Sequence, residues 1–166
     1  MLSALSGQLD PEVFRDVVRA YHQFCAEVIE SYDGHIAQYL GEGLLTYFGY
    51  PRAHDDDVQR AIRAGLRILD RVKALNRCPE REAGVRLAIR IGIHTGLVVM
   101  GDVGAGARQE PLALGHTPHL ASRLQSLAEP NTVVISTDTY RLAEGYFICE
   151  SLGLHDLEGD SQSMTV

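Results

Sequence analysis

Glu42 stands between two glycines in the segment YLGEGLLTYFG, residues 39–49. Apolar residues flank the Gly-Glu-Gly triplet, and this pattern indicates a tight β-hairpin turn because glycine adopts the positive φ that such turns need. Glycine also lets other groups approach the backbone closely. A carboxylate at such a tip is either a solvated turn residue or a ligand for a cation, and the segment alone leaves both readings open.

Four other features could carry chemistry, and each has a structural interpretation. The acidic run Asp55–Asp57 opens a predicted helix, where carboxylates favourably meet the helix dipole and successive side chains point in different directions. The glycines between Gly101 and Gly106 lack the strand, loop and helix context of a phosphate-binding loop. His94 is interpreted as packed at a strand end, and His116 beside Gly115 as facing solvent.

The hydrophobic pattern predicts alternating helices and strands. These elements must position the candidate side chains named above. Asp10-Pro11-Glu12 is a helix-start signal, and apolar residues then recur at helical spacing as far as Tyr32. The predicted elements that follow are strands 35–40 and 44–48, a helix opened by 54–57, a strand 85–93, an apolar run 97–100 that leads into a flexible, glycine-rich β-hairpin arm, a strand 112–115, a helix from 117 or 118, a strand 131–136, a short helix through 138–140 and a last strand 146–150.

This order predicts an α+β fold, with helices packed on one face of an antiparallel sheet. Residues 1–159 are predicted to form one domain, while residues 160–166 are polar and are interpreted as a tail, a linker start or a last edge segment.

Composition limits the classes of function. The net charge of -7 and the pI near 5.4 exclude the basic footprint of a nucleic-acid-binding protein. Cys25, Cys78 and Cys149 lie far apart without a C-x-x-C pair, so reduced thiols and a cytoplasmic location are expected. No apolar run has the length needed to span a bilayer.

Three segments resemble the catalytic domain of class III adenylate and guanylate cyclases of the bacterial type. They are LGEGLLTYFGYPRAHDDDVQRAIRAGLRI, RIGIHTGLVVMGDVGAGARQE and LGHTPHLASRLQSLAEPNTVVIS. They match the Gly-Asp-Gly turn, the Gly-Ile-His-Thr-Gly strand end and the Asn-x-Ala-x-Arg helix of that family, from about Leu5 to about Gly159. The resemblance implies the class III nucleotidyl cyclase fold, a ferredoxin-like antiparallel sheet with helices packed on it.

The resemblance also implies a mechanism. In the family, catalytic domains dimerise head to tail and the sites form at the interface. One protomer holds a pair of Mg²⁺ or Mn²⁺ ions with two aspartates, and the other recognises the base and stabilises the transition state. The 3′-hydroxyl of a nucleoside triphosphate attacks its own α-phosphate, which yields a cyclic nucleotide and pyrophosphate. The implied partners are the nucleotide and a second cyclase domain, in a homodimer or a heterodimer.

The metal side of the implied site departs from the family pattern. Glu42 stands at the position of the second metal-binding aspartate, and its extra methylene moves the carboxylate outward by roughly 1 Å. The first aspartate lies in the family on a strand just before the segment that resembles ALSGQLDPE, within which this chain begins. We therefore expect that strand and its carboxylate to be missing, and the gap in the sheet to be filled by a swapped segment, a partner chain or a rearrangement.

The base and ribose side is altered as well. Gln38 stands at the position of the base-recognising lysine of adenylate cyclases, and Leu112 at that of its aspartate partner. His119 takes the place of the ribose-orienting asparagine. The transition-state arginine is kept as Arg123, four residues after His119 and therefore on the same helix face.

These departures leave two main readings open. The chain is either a nucleotidyl cyclase domain that acts on ATP or GTP, or a degenerate cyclase-homology domain that regulates or supplies half of a site. In a heterodimer it could lend Arg123 and His119 to the metal site of an intact partner. A third reading, an unrelated α+β binding module, would require three coincident motif matches.

Overall fold

The computed structural model describes the backbone of residues 10–77, 87–105, 108–156 and 161–165. The chain divides into two compact units, residues 1–89 and residues 90–166. In the described helices, none is long and apolar enough to cross a membrane.

The first unit contains two long helices and a hairpin. Its elements are α1 (Pro11–Ser31), β1 (His35–Leu40), β2 (Gly43–Tyr47) and α2 (Asp57–Asn76). The start of α1 is as predicted, because Pro11 opens the helix and the Asp10 carboxylate accepts a hydrogen bond of 2.9 Å from the Glu12 N–H.

The helices α1 and α2 each bury one stripe of apolar residues. The buried positions are Tyr21, Phe24, Cys25, Val28 and Ile29 in α1, and Ala61, Ile62, Ala64, Ile68, Leu69 and Val72 in α2. At the start of α2, Arg60 bonds both Asp56, at 2.7 Å, and Asp33, at 2.5 Å, in the turn that follows α1. The Asp57 carboxylate accepts the His54 N–H at 2.7 Å. Asp56 and Asp57 thus have structural partners at the helix start, as the sequence predicts.

The hairpin is antiparallel and carries Glu42 in a two-residue turn. Leu40 pairs with Gly43, and Gly41 has a φ of 59° that a side chain would disfavour. A β-bulge lies between Ile36 and Gln38. Among the described residues, β1 has no partner strand other than β2, so the expected filling of a sheet gap stays a prediction.

The end of α2 is tied to the chain that returns after residues 78–86, which lie outside the described part. The Asn76 side chain donates to the Leu87 carbonyl and accepts the Leu87 N–H, both at 2.8 Å. Its amide therefore satisfies the backbone of Leu87 as a neighbouring strand would. Leu87 and Ile89 are buried, but only Arg90–Ile93 of the predicted strand 85–93 is described as strand.

The second unit is a sheet with two helices and a two-stranded ribbon. Its elements are β3 (Arg90–Ile93), β4 (Val99–Ala105), β5 (Arg108–Leu114), α3 (His116–Leu127), β6 (Thr132–Ser136), α4 (Thr137–Ala143), β7 (Ser151–Asp156) and β8 (Ser161–Thr165). The sheet order is β3-β6-β8-β7, with β3 and β6 parallel and the other pairs antiparallel. The predicted α+β class is confirmed, with one parallel pair that the sequence did not indicate.

The helix α3 lies directly on β3. A Cβ atom on Gly92 would stand 2.3 Å from the Ala121 carbonyl oxygen and 2.3 Å from the Gln125 nitrogen, so only glycine allows this approach. Buried Leu120 and Leu124 of α3 form a core cluster with Ala128 and Val134. The side of α3 that faces the sheet is thereby fixed.

Two predictions for this unit are wrong. Residues 146–150 are turn and coil, with Ile148 fully exposed, and the strand begins later, at Ser151. Residues 161–165 of the predicted polar tail form β8, which lies inside the sheet between β6 and β7 rather than at an edge or in a linker. The predicted β-hairpin arm is present, since β4 and β5 form a regular antiparallel pair over the described residues.

Candidate functional site

Glu42 is half-buried at the tip of the hairpin, between exposed Gly41 and half-buried Gly43. Over the described part of the chain, no group of three or more histidine, cysteine, aspartate or glutamate side chains is placed to hold a metal ion. The described residues therefore do not complete a two-ion site around Glu42.

His22 of α1 reaches the hairpin and contacts its tip. Its ring centroid lies 4.9 Å from that of Tyr39, and the ring hydrogen-bonds the backbone of Glu42. Burial lowers the pKa of His22, and the hydrogen bond to Glu42 opposes this in part. The imidazole is thus held against the backbone that carries the candidate ligand. His22 is not among the residues predicted from the sequence, where its only signal is its place beside the apolar stripe of α1.

Gln38 is exposed on β1, directly after the β-bulge. A bulge changes the direction of the following side chain, and bulges occur frequently next to functional sites. The structure therefore places Gln38 and Glu42 on the same hairpin, four residues apart, with the amide accessible to a ligand.

His119 and Arg123 lie one turn apart on α3. His119 is exposed and Arg123 is half-buried with an interaction partner of its own. Each precedes a buried leucine, Leu120 or Leu124, which anchors the helix turn from which it extends. The predicted common face of His119 and Arg123 is thus supported by the helix and its packing.

Leu112 lies in β5, where its backbone pairs with Gly101 of β4. Its side chain lies outside the described part. Of the five predicted site residues, Gln38 and Glu42 belong to the first unit, and Leu112, His119 and Arg123 to the second.

His94 is half-buried at the end of β3 and hydrogen-bonds a buried serine. Its Nδ1 lies 2.8 Å from the Oγ of Ser136, the residue that caps α4. This geometry agrees with the interpretation of His94 as packed at a strand end. The sequence gives no signal for Ser136, because its contact with His94 joins residues 42 positions apart.

The comparisons with known proteins agree with the resemblance. A family model described as the adenylate and guanylate cyclase catalytic domain matches residues 2–166. Adenylate cyclase 1 of Rhizobium meliloti (strain 1021) is 30% identical over 125 residues, which are 75% of this chain and 19% of that protein. The chain spans between 14% and 25% of the first curated relatives.

Solved structures show the same fold. The adenylyl cyclase CyaB from P. aeruginosa has a TM-score of 0.91 and 26% identity, with 99% of this chain and 86% of that chain covered. The guanylate cyclase domain of RhGC from Catenaria anguillulae, in complex with GTP, has a TM-score of 0.87 and 22% identity, with 99% and 87% covered. At that identity the second likeness shows the fold alone.

Proposed function

Because the chain belongs to the adenylate and guanylate cyclase catalytic domain family, we propose that it converts ATP to a cyclic nucleotide and pyrophosphate, with GTP as the other candidate substrate. The observation that carries the proposal is the pair His119 and Arg123, one turn apart on α3 and each followed by a buried leucine. The product would serve in signal transduction.

The proposed reaction is an intramolecular displacement at phosphorus. The 3′-oxygen forms a bond to the α-phosphorus, the bond from that phosphorus to the bridging oxygen breaks, and pyrophosphate and the hydroxyl proton leave. Negative charge develops on the phosphoryl oxygens in the transition state. The guanidinium of Arg123 neutralises that charge, and such preorganised groups supply several kcal/mol of stabilisation.

The remaining residues are proposed to orient the nucleotide. The exposed amide of Gln38 hydrogen-bonds the purine edge, because an amide both donates and accepts. His119 orients the ribose one turn before Arg123, and Leu112 packs against the base. Neither Gln38 nor Leu112 favours one purine by charge, so the choice between ATP and GTP is left to experiment.

Glu42 is proposed to supply one carboxylate ligand to Mg²⁺ or Mn²⁺. When bound, the metal would act as a Lewis acid on the phosphate oxygens and activate the attacking hydroxyl. Because the described residues form no group of three or more possible metal ligands, the proposal assigns them no other metal ligand. The contact from His22 to the Glu42 backbone restricts the tip and limits where that carboxylate can lie.

We propose that the active form is a head-to-tail dimer, a homodimer or a heterodimer with another cyclase domain, in the cytoplasm. The start of β4 and the segment before it support an association surface, since Val99 is 70% and Leu97 is 99% exposed. Cys25 and Cys149 are free thiols, and the proposed compartment is one in which thiols stay reduced.

A regulatory or half-site module is the second candidate. It is favoured by the single carboxylate at the hairpin tip and by leucine at position 112, where the family pattern has an acidic partner for the base-recognising residue. Such a chain would support catalysis in a partner through Arg123 and His119 without turnover of its own.

The test is cyclic-nucleotide formation from ATP and from GTP with Mg²⁺ or Mn²⁺, by the purified chain and by Arg123→Ala. Arg141→Ala is the matched control, because Arg141 is exposed on α4 and pairs only locally with Asp138. We expect Arg123→Ala to lower turnover about 100-fold and Arg141→Ala to leave it unchanged. Folded wild-type chain without turnover under every condition would favour the half-site module instead.

A further inference from the structure

Three hydroxyl groups and one imidazole meet where β3 ends. The Oγ of buried Ser136 lies 2.8 Å from His94 Nδ1 and 3.0 Å from the Oγ1 of buried Thr139. The Oγ1 of Thr139 in turn lies 3.0 Å from that of Thr95. We call these four residues the β3-end network.

The hydrogen-bonding capacity of Ser136 is fully used in this network. Its hydroxyl accepts the Thr139 N–H at 3.2 Å as the cap of α4, and it has one more lone pair and one proton for His94 and the Thr139 hydroxyl. Ser136 can either donate its proton to His94 Nδ1 or accept the proton that Nδ1 carries. In both cases the Ser136 hydroxyl is satisfied. Loss of the imidazole nitrogen would leave a buried hydroxyl one partner short, which is costly at such depth.

The turn after β3 contacts α3 as well as the cap of α4. Thr117, in the first turn of α3, donates its hydroxyl to the Leu97 carbonyl at 2.8 Å. A Cβ atom on Gly96 would lie 2.7 Å from Thr117 Oγ1 and 3.1 Å from His94 Nε2. Residues 94–97 therefore lie between the cap of α4 and the start of α3, with no room for a side chain at Gly96.

We infer that His94 is a positioning residue: through the β3-end network it fixes residues 94–97, and through Thr117 it fixes the first turn of α3. The helix α3 carries His119 and Arg123, so their placement toward substrate depends on this contact. The inference rests on the proposed function for its effect on turnover, but not for its effect on α3.

Two amide substitutions separate the role of one ring nitrogen from that of the whole side chain. Asparagine places an amide near the position of Nδ1, whereas glutamine places it near that of Nε2. We expect His94→Asn to keep both the Ser136 contact and turnover. We expect His94→Gln to lower kcat by about 10-fold to 100-fold, with KM for the nucleotide unchanged, because a small displacement of catalytic groups has such effects.

Hydrogen exchange supplies a readout that needs no activity. His94→Gln is expected to increase amide exchange in residues 115–121, while His94→Asn leaves it as in the wild type. Thr132→Val is the matched control, since it removes a comparable hydrogen bond of 2.8 Å, to the Glu129 carbonyl, elsewhere in the same unit. It should change neither kcat nor exchange in residues 115–121.

Thr117→Val removes the hydrogen bond from Thr117 to the Leu97 carbonyl, which joins residues 94–97 to α3. This variant keeps the inference testable if His94→Gln does not fold. It is expected to reproduce the increased exchange and the lower kcat. Unchanged exchange in Thr117→Val, or equal effects of His94→Asn and His94→Gln, would overturn the inference. If the wild type has no turnover but the exchange pattern is as expected, the proposed function fails and the inference stands.

Discussion

At the hairpin tip, Glu42 has one methylene more than the aspartate that the cyclase family has at this position. A longer side chain moves its charge by roughly 1 Å, and Mg²⁺ tolerates little departure from octahedral geometry. We expect Glu42→Asp to increase the metal-dependent rate and Glu42→Gln to lower it about 100-fold, since the amide carries no charge for the cation. Both are measured as rate against Mg²⁺ and Mn²⁺ concentration.

The control for Glu42 is Glu144→Gln, which removes the same charge from the exposed end of α4. Its rate should equal that of the wild type. A Glu42→Gln chain with an unaltered metal dependence would show that Glu42 is a solvated turn residue, the first of the two readings that its sequence leaves open.

Cys25 is fully buried in α1 beside Tyr21. Burial raises the pKa of the Cys25 thiol to about 12, and burial also raises the pKa of Tyr21. Because the folded state keeps the thiol neutral, its contribution to stability is complete below the unfolded pKa of 9.0 and is lost as the pH rises toward 12.

The measurement is urea unfolding of the wild type and of Cys25→Ala at several pH values. The free-energy difference between the two chains should shrink by about 1 kcal/mol between roughly pH 8.5 and pH 10. The difference cancels the contribution of Cys149, which both chains retain, and most of that of Tyr21, because burial is the main cause of the raised pKa of Tyr21. Parallel stability curves across this range would contradict the assigned burial of the thiol.

At the scale of elements, the sequence predicts the features that depend on neighbouring residues alone, namely caps, turns and helical stripes. The cap at Asp10, the glycine turn at residue 41 and the helical stripes of α1 and α2 are visible in the sequence, and the structure has them. Strand β8, Ser161–Thr165, is polar and without alternation, and its place follows from hydrogen bonds to β6 and β7. No pattern within the segment could reveal such pairing.

Asn76 shows how one side chain can complete an element. Its amide makes both hydrogen bonds to the buried backbone of Leu87. We expect Asn76→Ala to lower the free energy of unfolding by about 1–3 kcal/mol, because a buried donor and acceptor lose their partners. Urea denaturation measures the change.

The control is Arg77→Ala, at the exposed residue that follows Asn76 and ends α2. It should change stability by less than about 0.5 kcal/mol. Equal effects of the two substitutions would mean that helix propensity, rather than the contact with Leu87, determines stability at this end of α2.

At the scale of the whole molecule, the candidate site was predictable only in part. The resemblance identified Gln38, Glu42, Leu112, His119 and Arg123, and the structure places the first two on one hairpin and the last two on one helix face. The contacts of His22 with the tip and of His94 with Ser136 were not predictable, since each joins distant segments through tertiary packing. Here the sequence motifs indicated candidate ligand-binding residues, but not the residues that hold them in place.

A cyclase site to which two chains contribute is tested most directly by complementation. In a head-to-tail dimer, Glu42 of one chain and Arg123 of the other serve the same site. Glu42→Gln and Arg123→Ala should each be inactive alone. Mixed in equal amounts, they should regain about a quarter of wild-type turnover, because half of the dimers are mixed and each holds one intact site. A mixture no more active than its separate components, with the wild type active and both variants folded, would contradict the account.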